Sequence, residues 1–301
     1  MRFVIVGAGA VGGTFGALLA KAGEDVVFVA RRQHLRAMQD RGLRIEGRQD
    51  FTVKARAVED PAEAGHADAL LVCVKTHQTR DAVEPCRPLL RPDSIVVTMQ
   101  NGLGNVERLA LLLPGASIVP AVVYVASEVV APGVIRWDAA GRIHIGPAPR
   151  SVEIRERFLH AGAGCEISPD IGRDVWEKLV ANAVFNVLAA VENCSLGDLL
   201  HEPRRETAER AIDELTAVAA TQGIVVRPSA RESCWTFCRN FPTFRTSTQQ
   251  DVSRGRENEA EALNGHLVGL GRKAGVATPS LDMLYRRLSM LNATAARPTP
   301  S

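Results

Sequence analysis

The chain lacks several features that would fix its chemistry at once. It has no H-E-x-x-H metal motif: the nearest approach, His201-Glu202, runs straight into Pro203. It has no G-x-S-x-G turn to present a serine nucleophile. The net charge is only +2 over 301 residues, with no basic block and no basic-aromatic interleave, so a nucleic-acid partner is not expected. No apolar run reaches the roughly 18 residues of a membrane helix, so no membrane partner is expected either. No internal repeat is present. The six cysteines, Cys73, Cys86, Cys165, Cys194, Cys234 and Cys238, form no framework. Cys73 and Cys194 sit in apolar segments as small hydrophobes. Cys234 and Cys238 make one spaced pair with no second beside it, which reads as structural, and no metal is expected. The amino terminus reads directly as a strand, so a signal peptide is not expected and a cytoplasmic location is.

What is there begins at that strand. Phe3-Val4-Ile5-Val6 is an apolar run leading into Gly7-Ala8-Gly9-Ala10-Val11-Gly12, a G-x-G-x-x-G pattern. A helical stretch from about Val11 to Ala22 follows, with Gly23 where a C′ cap belongs. Strand, glycine turn and helix in this order are the context of a dinucleotide-binding fingerprint. Gly7 permits the tight turn, Gly9 lets a pyrophosphate approach the backbone, and Gly12 lets helix and strand pack closely. The next strand, Val26 to Ala30, is continuously apolar and ends at Arg31-Arg32. A site for NAD places a carboxylate there to hold the ribose 2′-hydroxyl, whereas a guanidinium forks onto a 2′-phosphate. The expected cofactor is therefore NADP(H), with Arg31 on the phosphate.

The first half of the chain alternates strands and helices. Leu43 to Glu46 and Phe51 to Lys54 read as a hairpin, and Ala69 to Val74, Ser94 to Met99 and Ile118 to Val125 as strands. Two shorter strands, Val134 to Trp137 and Arg142 to Ile145, are expected to flank Gly141. Lys75 and Asn101 follow strand ends, where open sheets bind ligands. After Ser168 helical periodicity takes over, in Asp174 to Val191, Arg204 to Gln222, Glu257 to Ala274 and Leu281 to Leu291. The fold class is thus an α/β Rossmann-type doubly wound sheet (1–168) followed by an all-α domain (169–301). The proline-rich tail from Ala295 to Ser301 is expected to be disordered.

One helical segment is out of character. The stretch Val175 to Leu188 is apolar enough to be buried on most sides, yet Lys178, Asn182 and Asn186 recur at i, i+4 and i+8. In an α-helix these three share a face. Buried polar groups need partners, and a polar ligand would supply them. The other reading is a solvated lysine with asparagines that bond neighbouring helices. A second cluster, Glu257-Asn258-Glu259-Ala260-Glu261, reads by itself as a solvated acidic face, and periodicity does not choose among its glutamates.

Taken in order, these motifs resemble the ketopantoate reductase family of the 6-phosphogluconate-dehydrogenase-like group, over nearly the whole chain. The resemblance rests on Gly7 to Gly12, Arg31, Val74-Lys75-Thr76, Gln100-Asn101-Gly102-Leu103-Gly104, Trp176-Glu177-Lys178-Leu179 with Asn182 and Asn186, Gln250-Asp251-Val252 with Gly255-Arg256, and Glu259 with Leu263-Asn264-Gly265. It implies NADPH-dependent reduction of ketopantoate to pantoate, a step of pantothenate biosynthesis. It implies Lys178 as general acid, Asn101 as a contact to cofactor and substrate, and Lys75 beside the nicotinamide ribose. It implies Asn182 and Asn186 in the pocket, Ser247 on the substrate carboxylate, and Glu259, chosen by the Leu263-Asn264-Gly265 register, as a substrate-binding carboxylate. The partner implied is a small 2-keto acid, with a homodimer as the expected assembly.

The chain departs from the family pattern at Thr248-Gln249, at Asn258 and Ala260, at Leu196 before Gly197, and along Val122 to Ser127. These changes touch the identity of the keto acid more than the reaction class. The alternatives are a related NADP-dependent dehydrogenase of another 2-keto or 2-hydroxy acid, and a non-catalytic NADPH sensor.

Overall fold

The computed structural model describes residues 1–295; of the tail expected to be disordered from Ala295 to Ser301, Ala295 ends a helix, and 296–301 lie outside the described residues. The chain divides into two compact units, one of residues 1–100 and 105–171, the other of 101–104 and 172 onward. The sequence drew one boundary after residue 168; the structure groups the short loop 101–104 with the helical unit.

The first unit is built on a ten-stranded sheet. Its strands are β1 (Arg2–Val6), β2 (Asp25–Val29), β3 (Leu43–Gly47), β4 (Phe51–Val53), β5 (Arg56–Val58), β6 (Ala67–Val72), β7 (Leu90–Thr98), β8 (Ser117–Ala131), β9 (Val134–Ile145) and β10 (Gly164–Ile167). The run β5-β2-β1-β6-β7-β8 is parallel throughout, the 3-2-1-4-5-6 order of a doubly wound dinucleotide fold. β9 turns back antiparallel to β8 and carries β3, β4 and β10 as an extension. Helices α1 (Ala10–Lys21), α2 (Arg32–Arg41), α3 (Thr79–Val83), α4 (Asn105–Leu112) and α5 (Ser151–His160) complete this unit.

β1 shows why its sequence is apolar without alternation. Phe3 and Ile5 join one core with Phe15 and Leu18 of α1, while Val4 and Val6 join a second core with Val83 and Leu109. Both faces of the strand are covered, as a doubly wound sheet requires.

Two local expectations fail here for identifiable reasons. The two strands around Gly141 are one strand, β9. A Cβ at Gly141 would lie 3.1 Å from the Phe15 ring, so the glycine makes room for a core side chain without ending the strand. β5 went unread because three residues beside polar neighbours carry almost no pattern.

The second unit is helical: α6 (Ile171–Leu179), α7 (Asn186–Val191), α8 (Arg204–Thr221), α9 (Pro228–Asn240), α10 (Ser247–Ser253), α11 (His266–Ala274) and α12 (Pro279–Ala295). They enclose one core that includes Trp176, Leu188, Leu215, Trp235, Leu267 and Leu284. α9 escaped the sequence reading because Pro228 looks like a breaker, yet it occupies the first turn, where proline is tolerated. Only Trp235 and Cys238 of that helix are buried, so its apolar stripe is thin.

The helix expected over Asp174 to Val191 runs without a break but is not a regular α-helix throughout. Val180–Phe185 is a π turn, in which the Asn186 N–H donates five residues back to the Ala181 carbonyl. The helix expected over Glu257 to Ala274 starts later, because Glu257 to Glu259 are not helical; a second π turn, Glu261–Gly265, opens it, and there the His266 N–H donates to the Glu261 carbonyl.

No helix of the described residues is long and apolar enough to cross a membrane.

Candidate active site

The glycine loop of the first unit has the shape of a phosphate cradle. Gly7 stands at φ +99°, and a Cβ there would come within 2.8 Å of Val74 Cγ1, so the tight turn needs glycine twice over. A Cβ at Gly12 would fall 2.1 Å from the Gly7 carbonyl oxygen and 2.8 Å from Cys73 Cβ, which fixes how closely α1 packs on β1 and β6. Gly9 differs from both: it caps α1, its backbone is ordinary, and a Cβ on it would meet nothing within 4 Å. No side chain caps α1, and its first turn holds no acidic residue. An uncapped helix start with no acidic residue and open space at Gly9 suits a pyrophosphate, with the helix dipole behind it. Ala8 is buried, and Ala10 and Val11 form the helix start.

The neighbouring positions follow the same logic. Arg31 is exposed and caps α2 directly after β2, and α2 has no acidic residue in its first turn. That first turn carries no charge that would repel a 2′-phosphate. Lys75 is half-buried where the chain leaves β6. Its turn is pinned by Gln100, whose Nε2 donates to the Val74 carbonyl at 3.0 Å and to Thr79 Oγ1 at 2.8 Å. Gln100 is a residue whose role the sequence did not expose, although it stands in a quoted motif.

In the helical unit the polar residues form a chain of hydrogen bonds. Lys178 Nζ donates to Asn101 Oδ1 at 2.9 Å, Asn182 Nδ2 donates to the same oxygen at 3.3 Å, and Asn186 Nδ2 donates to Asn182 Oδ1 at 3.1 Å. All four side chains are half-buried. Burial pulls the Lys178 ammonium down to about 8, and the Glu259 carboxylate opposes that fall. Such a lysine holds its proton at neutral pH and can release it readily.

The second glutamate cluster resolves by its partners. Glu261 accepts a hydrogen bond from the Tyr285 hydroxyl at 2.6 Å, while Glu259 is the carboxylate felt by Lys178. Ser247 is exposed at the first position of α10. Its neighbour Thr246 is buried, and its Oγ1 donates to the Asn186 backbone carbonyl at 3.5 Å, which ties the start of α10 to α7.

The other motif residues are supports. Trp176 and Leu179 enter the core. Glu177 takes a bidentate pair of bonds from Arg227 at 2.7 and 2.6 Å, fastening α6 to the start of α9. Asp251, 5% exposed, pairs with Arg256 at 3.0 Å and closes the turn after α10. The cysteines are free thiols; burial raises Cys73, Cys86, Cys165 and Cys234 to about 12, out of reactive range. The described residues contain no cluster of His, Cys, Asp and Glu able to hold a metal ion.

A parallel sheet wound in this order, with a glycine loop at the end of its first strand and a lysine held among amides in the helical unit, defines a class: nicotinamide-dependent oxidoreductases that act on a carbonyl or its alcohol. Comparison with known proteins narrows it. Residues 3–150 match the family model described as ketopantoate reductase PanE/ApbA, and residues 170–292 match the model of its C-terminal part. A 2-dehydropantoate 2-reductase of Mesorhizobium japonicum is 33% identical over 321 residues, covering 96% of this chain and 98% of the relative. One from Nostoc sp. is 30% identical over 304 residues, covering 97% of this chain and 95% of the relative. The crystal structure of a PanE/ApbA family ketopantoate reductase from Ralstonia eutropha superposes with a TM-score of 0.94 at 32% identity, over 99% of this chain and 100% of that one. The chain belongs to the ketopantoate reductase family.

Proposed function

We propose that the protein reduces 2-dehydropantoate to pantoate with NADPH, and that Lys178 is the proton donor. The observation that carries this reading is the bond from Lys178 Nζ to Asn101 Oδ1 at 2.9 Å, in a network shared with Asn182 and Asn186. When bound, NADPH supplies the hydride that reaches the ketone carbon of the substrate. Negative charge then grows on the ketone oxygen, and Lys178, charged below about 8, stabilises it and delivers the proton. Asn101 Oδ1 keeps the ammonium in place by accepting from it, and Asn182 and Asn186 offer amide groups to the substrate. Ser247 donates to the substrate carboxylate, and Glu259 accepts from its terminal hydroxyl. Gly7 to Gly12 with the α1 amides take the pyrophosphate, Arg31 takes the 2′-phosphate, and Lys75 lies by the ribose. Asn101 also contacts the cofactor. A homodimer and a cytoplasmic location belong to the same reading, as does a domain division near residue 168.

The substrate assignment is tested with a ketopantoate analogue whose hydroxyl is replaced by hydrogen. A site that bonds a hydroxyl rejects the analogue lacking it by roughly 10⁴–10⁵, because its own polar group is left unpaired. Wild type should show that loss in kcat/KM, measured by NADPH oxidation, and in Glu259→Ala the two compounds should become nearly equal. Equal turnover of both by wild type would replace ketopantoate with another 2-keto acid. Tight NADPH binding without turnover of any 2-keto acid would point to a sensor.

A further inference from the structure

The two π turns are linked, and the link runs through groups that the reaction does not use. In the first turn, the Ala183 carbonyl accepts a hydrogen bond from outside its helix, from Asn264 Nδ2 at 2.9 Å. Ala183 follows Asn182 directly. In the second turn, the Ala262 carbonyl accepts from the Leu103 N–H at 3.2 Å. Leu103 lies two residues after Asn101. Glu259 is tied to the same turn, since the Leu263 N–H donates to its carbonyl at 3.0 Å.

The loop 101–104 is shaped for that contact. Gly102 stands at φ +89°, and a Cβ there would fall 2.5 Å from the Ala262 carbonyl oxygen and 2.9 Å from its carbonyl carbon. Only glycine lets the loop lie on the second π turn.

Asn264 itself is fully buried, and its Oδ1 has no donor among the described residues. Leaving a buried acceptor unmet is costly. An apolar side chain would fill the same space without that cost, so the gain from this amide lies in what its Nδ2 holds.

We infer that Asn264 is a positioning residue: through the Ala183 carbonyl it fixes the widened turn that carries Asn182, while its own turn fixes Asn101 through Ala262. The segment from Glu259 to Gly265 acts as a clamp that sets Glu259, Asn101 and Asn182 in one frame around Lys178. The π geometry is the means, since a widened turn presents carbonyls that a regular α-helix keeps for its own amides. The inference rests on the reading of Lys178 as the acid.

The test compares wild type, Asn264→Leu, Gly102→Ala and Lys178→Ala as full chains. The quantities are NADPH affinity, KM and kcat for ketopantoate, and the pH dependence of kcat/KM. Misplacing a reacting group by about 1 Å costs roughly a hundredfold. Asn264→Leu should therefore lose ten- to a hundredfold in kcat/KM, with KM raised, by roughly that principle. Its alkaline limb should move to lower pH, because Lys178 loses a well-placed acceptor for its ammonium. Gly102→Ala, which lifts the loop rather than the buried amide, should give the same signature and decides the matter if Asn264→Leu does not fold. A folded variant with wild-type KM and an unmoved alkaline limb, slowed only in proportion to its active fraction, would overturn the inference and leave the acid in place. A Lys178→Ala enzyme that keeps its turnover would overturn the acid, and the clamp with it.

Discussion

The sheet unit and the helical unit make their sites in opposite ways. In the sheet unit the cradle is backbone: glycines that tolerate a turn or a close approach, and helix amides left uncapped. In the helical unit the site is side chain: a lysine and three asparagines joined by hydrogen bonds, set by two widened turns. A backbone site is a matter of which atoms are missing. A side-chain site is a matter of which polar groups answer one another, so each member depends on the rest. The two should therefore fail differently when single residues are changed.

The largest effect should fall on the helical side. Lys178→Ala removes the proton donor and should lower kcat by about 10²–10⁴. NADPH affinity should stay near that of wild type, since the cradle is untouched. In wild type the same group sets a pH limit. Its value is lowered to about 8, so the charged, proton-donating form is present below that pH and kcat/KM should fall as pH rises through it. The comparison breaks if Lys178→Ala loses NADPH binding and turnover together, or if the alkaline fall survives the substitution.

Next come two changes in the sheet unit that separate charge from space. Arg31→Ala removes charge-assisted bonds of about 1.5–3 kcal/mol, a loss of roughly 10- to 150-fold in NADPH affinity with NADH hardly touched. Equal losses for both cofactors would show that Arg31 does not read the phosphate. Gly9→Ala should fold with an unchanged Tm, because a Cβ there meets no protein atom. It should nonetheless weaken both cofactors, by about 1–3 kcal/mol if the methyl group crowds the phosphates. Isothermal titration with each cofactor separates the two patterns. An unchanged affinity in Gly9→Ala would mean that the open face of the loop is not where the pyrophosphate lies.

The same contrast explains what could be read in advance. The glycine loop was legible because Gly7 and Gly12 answer constraints that no other residue meets, and those constraints are local. Gly7, Gly12 and the strand after them fell where the pattern put them. Lys178, Asn182 and Asn186 were legible as polar residues in an apolar helix, but their geometry was not. A regular helix puts them on one face by spacing alone. In the structure a π turn spans Val180–Phe185, and hydrogen bonds to Asn101 and between the asparagines join them. Nothing in that local sequence announces a π turn, and the group that bonds its Ala183 carbonyl, Asn264 Nδ2, lies about eighty positions away. Periodicity alone did not tell Glu259 from Glu261, and only the Leu263-Asn264-Gly265 register did: the hydroxyl that engages Glu261 belongs to Tyr285 in a later helix. α9 and α10 were missed because a thin apolar stripe and a seven-residue length leave little periodicity to detect.

The smallest expected effect tests how far the interdependence of the helical site extends. Thr246 caps α10 in a reciprocal pair: its Oγ1 accepts from the Gln249 N–H at 3.2 Å, and Gln249 Oε1 accepts from the Thr246 N–H at 3.0 Å. The Gln249 amide also donates to the Cys194 carbonyl at 2.8 Å, so the cap ties α10 to the chain beyond α7. Thr246→Ala removes one side of the pair and should cost about 0.5–2 kcal/mol of stability. Thr246→Ser, which keeps the hydroxyl, should recover most of it. Neither variant removes a group that we assign to the substrate, but both act on the residue that precedes Ser247. If the helical site is as interdependent as its hydrogen bonds imply, Thr246→Ala should also raise KM for the keto acid severalfold, with NADPH affinity unchanged. Chemical denaturation and steady-state kinetics on the three proteins measure both. A loss of stability with KM unmoved would confine the network to Lys178, Asn101 and the two asparagines, and would leave Ser247 outside it.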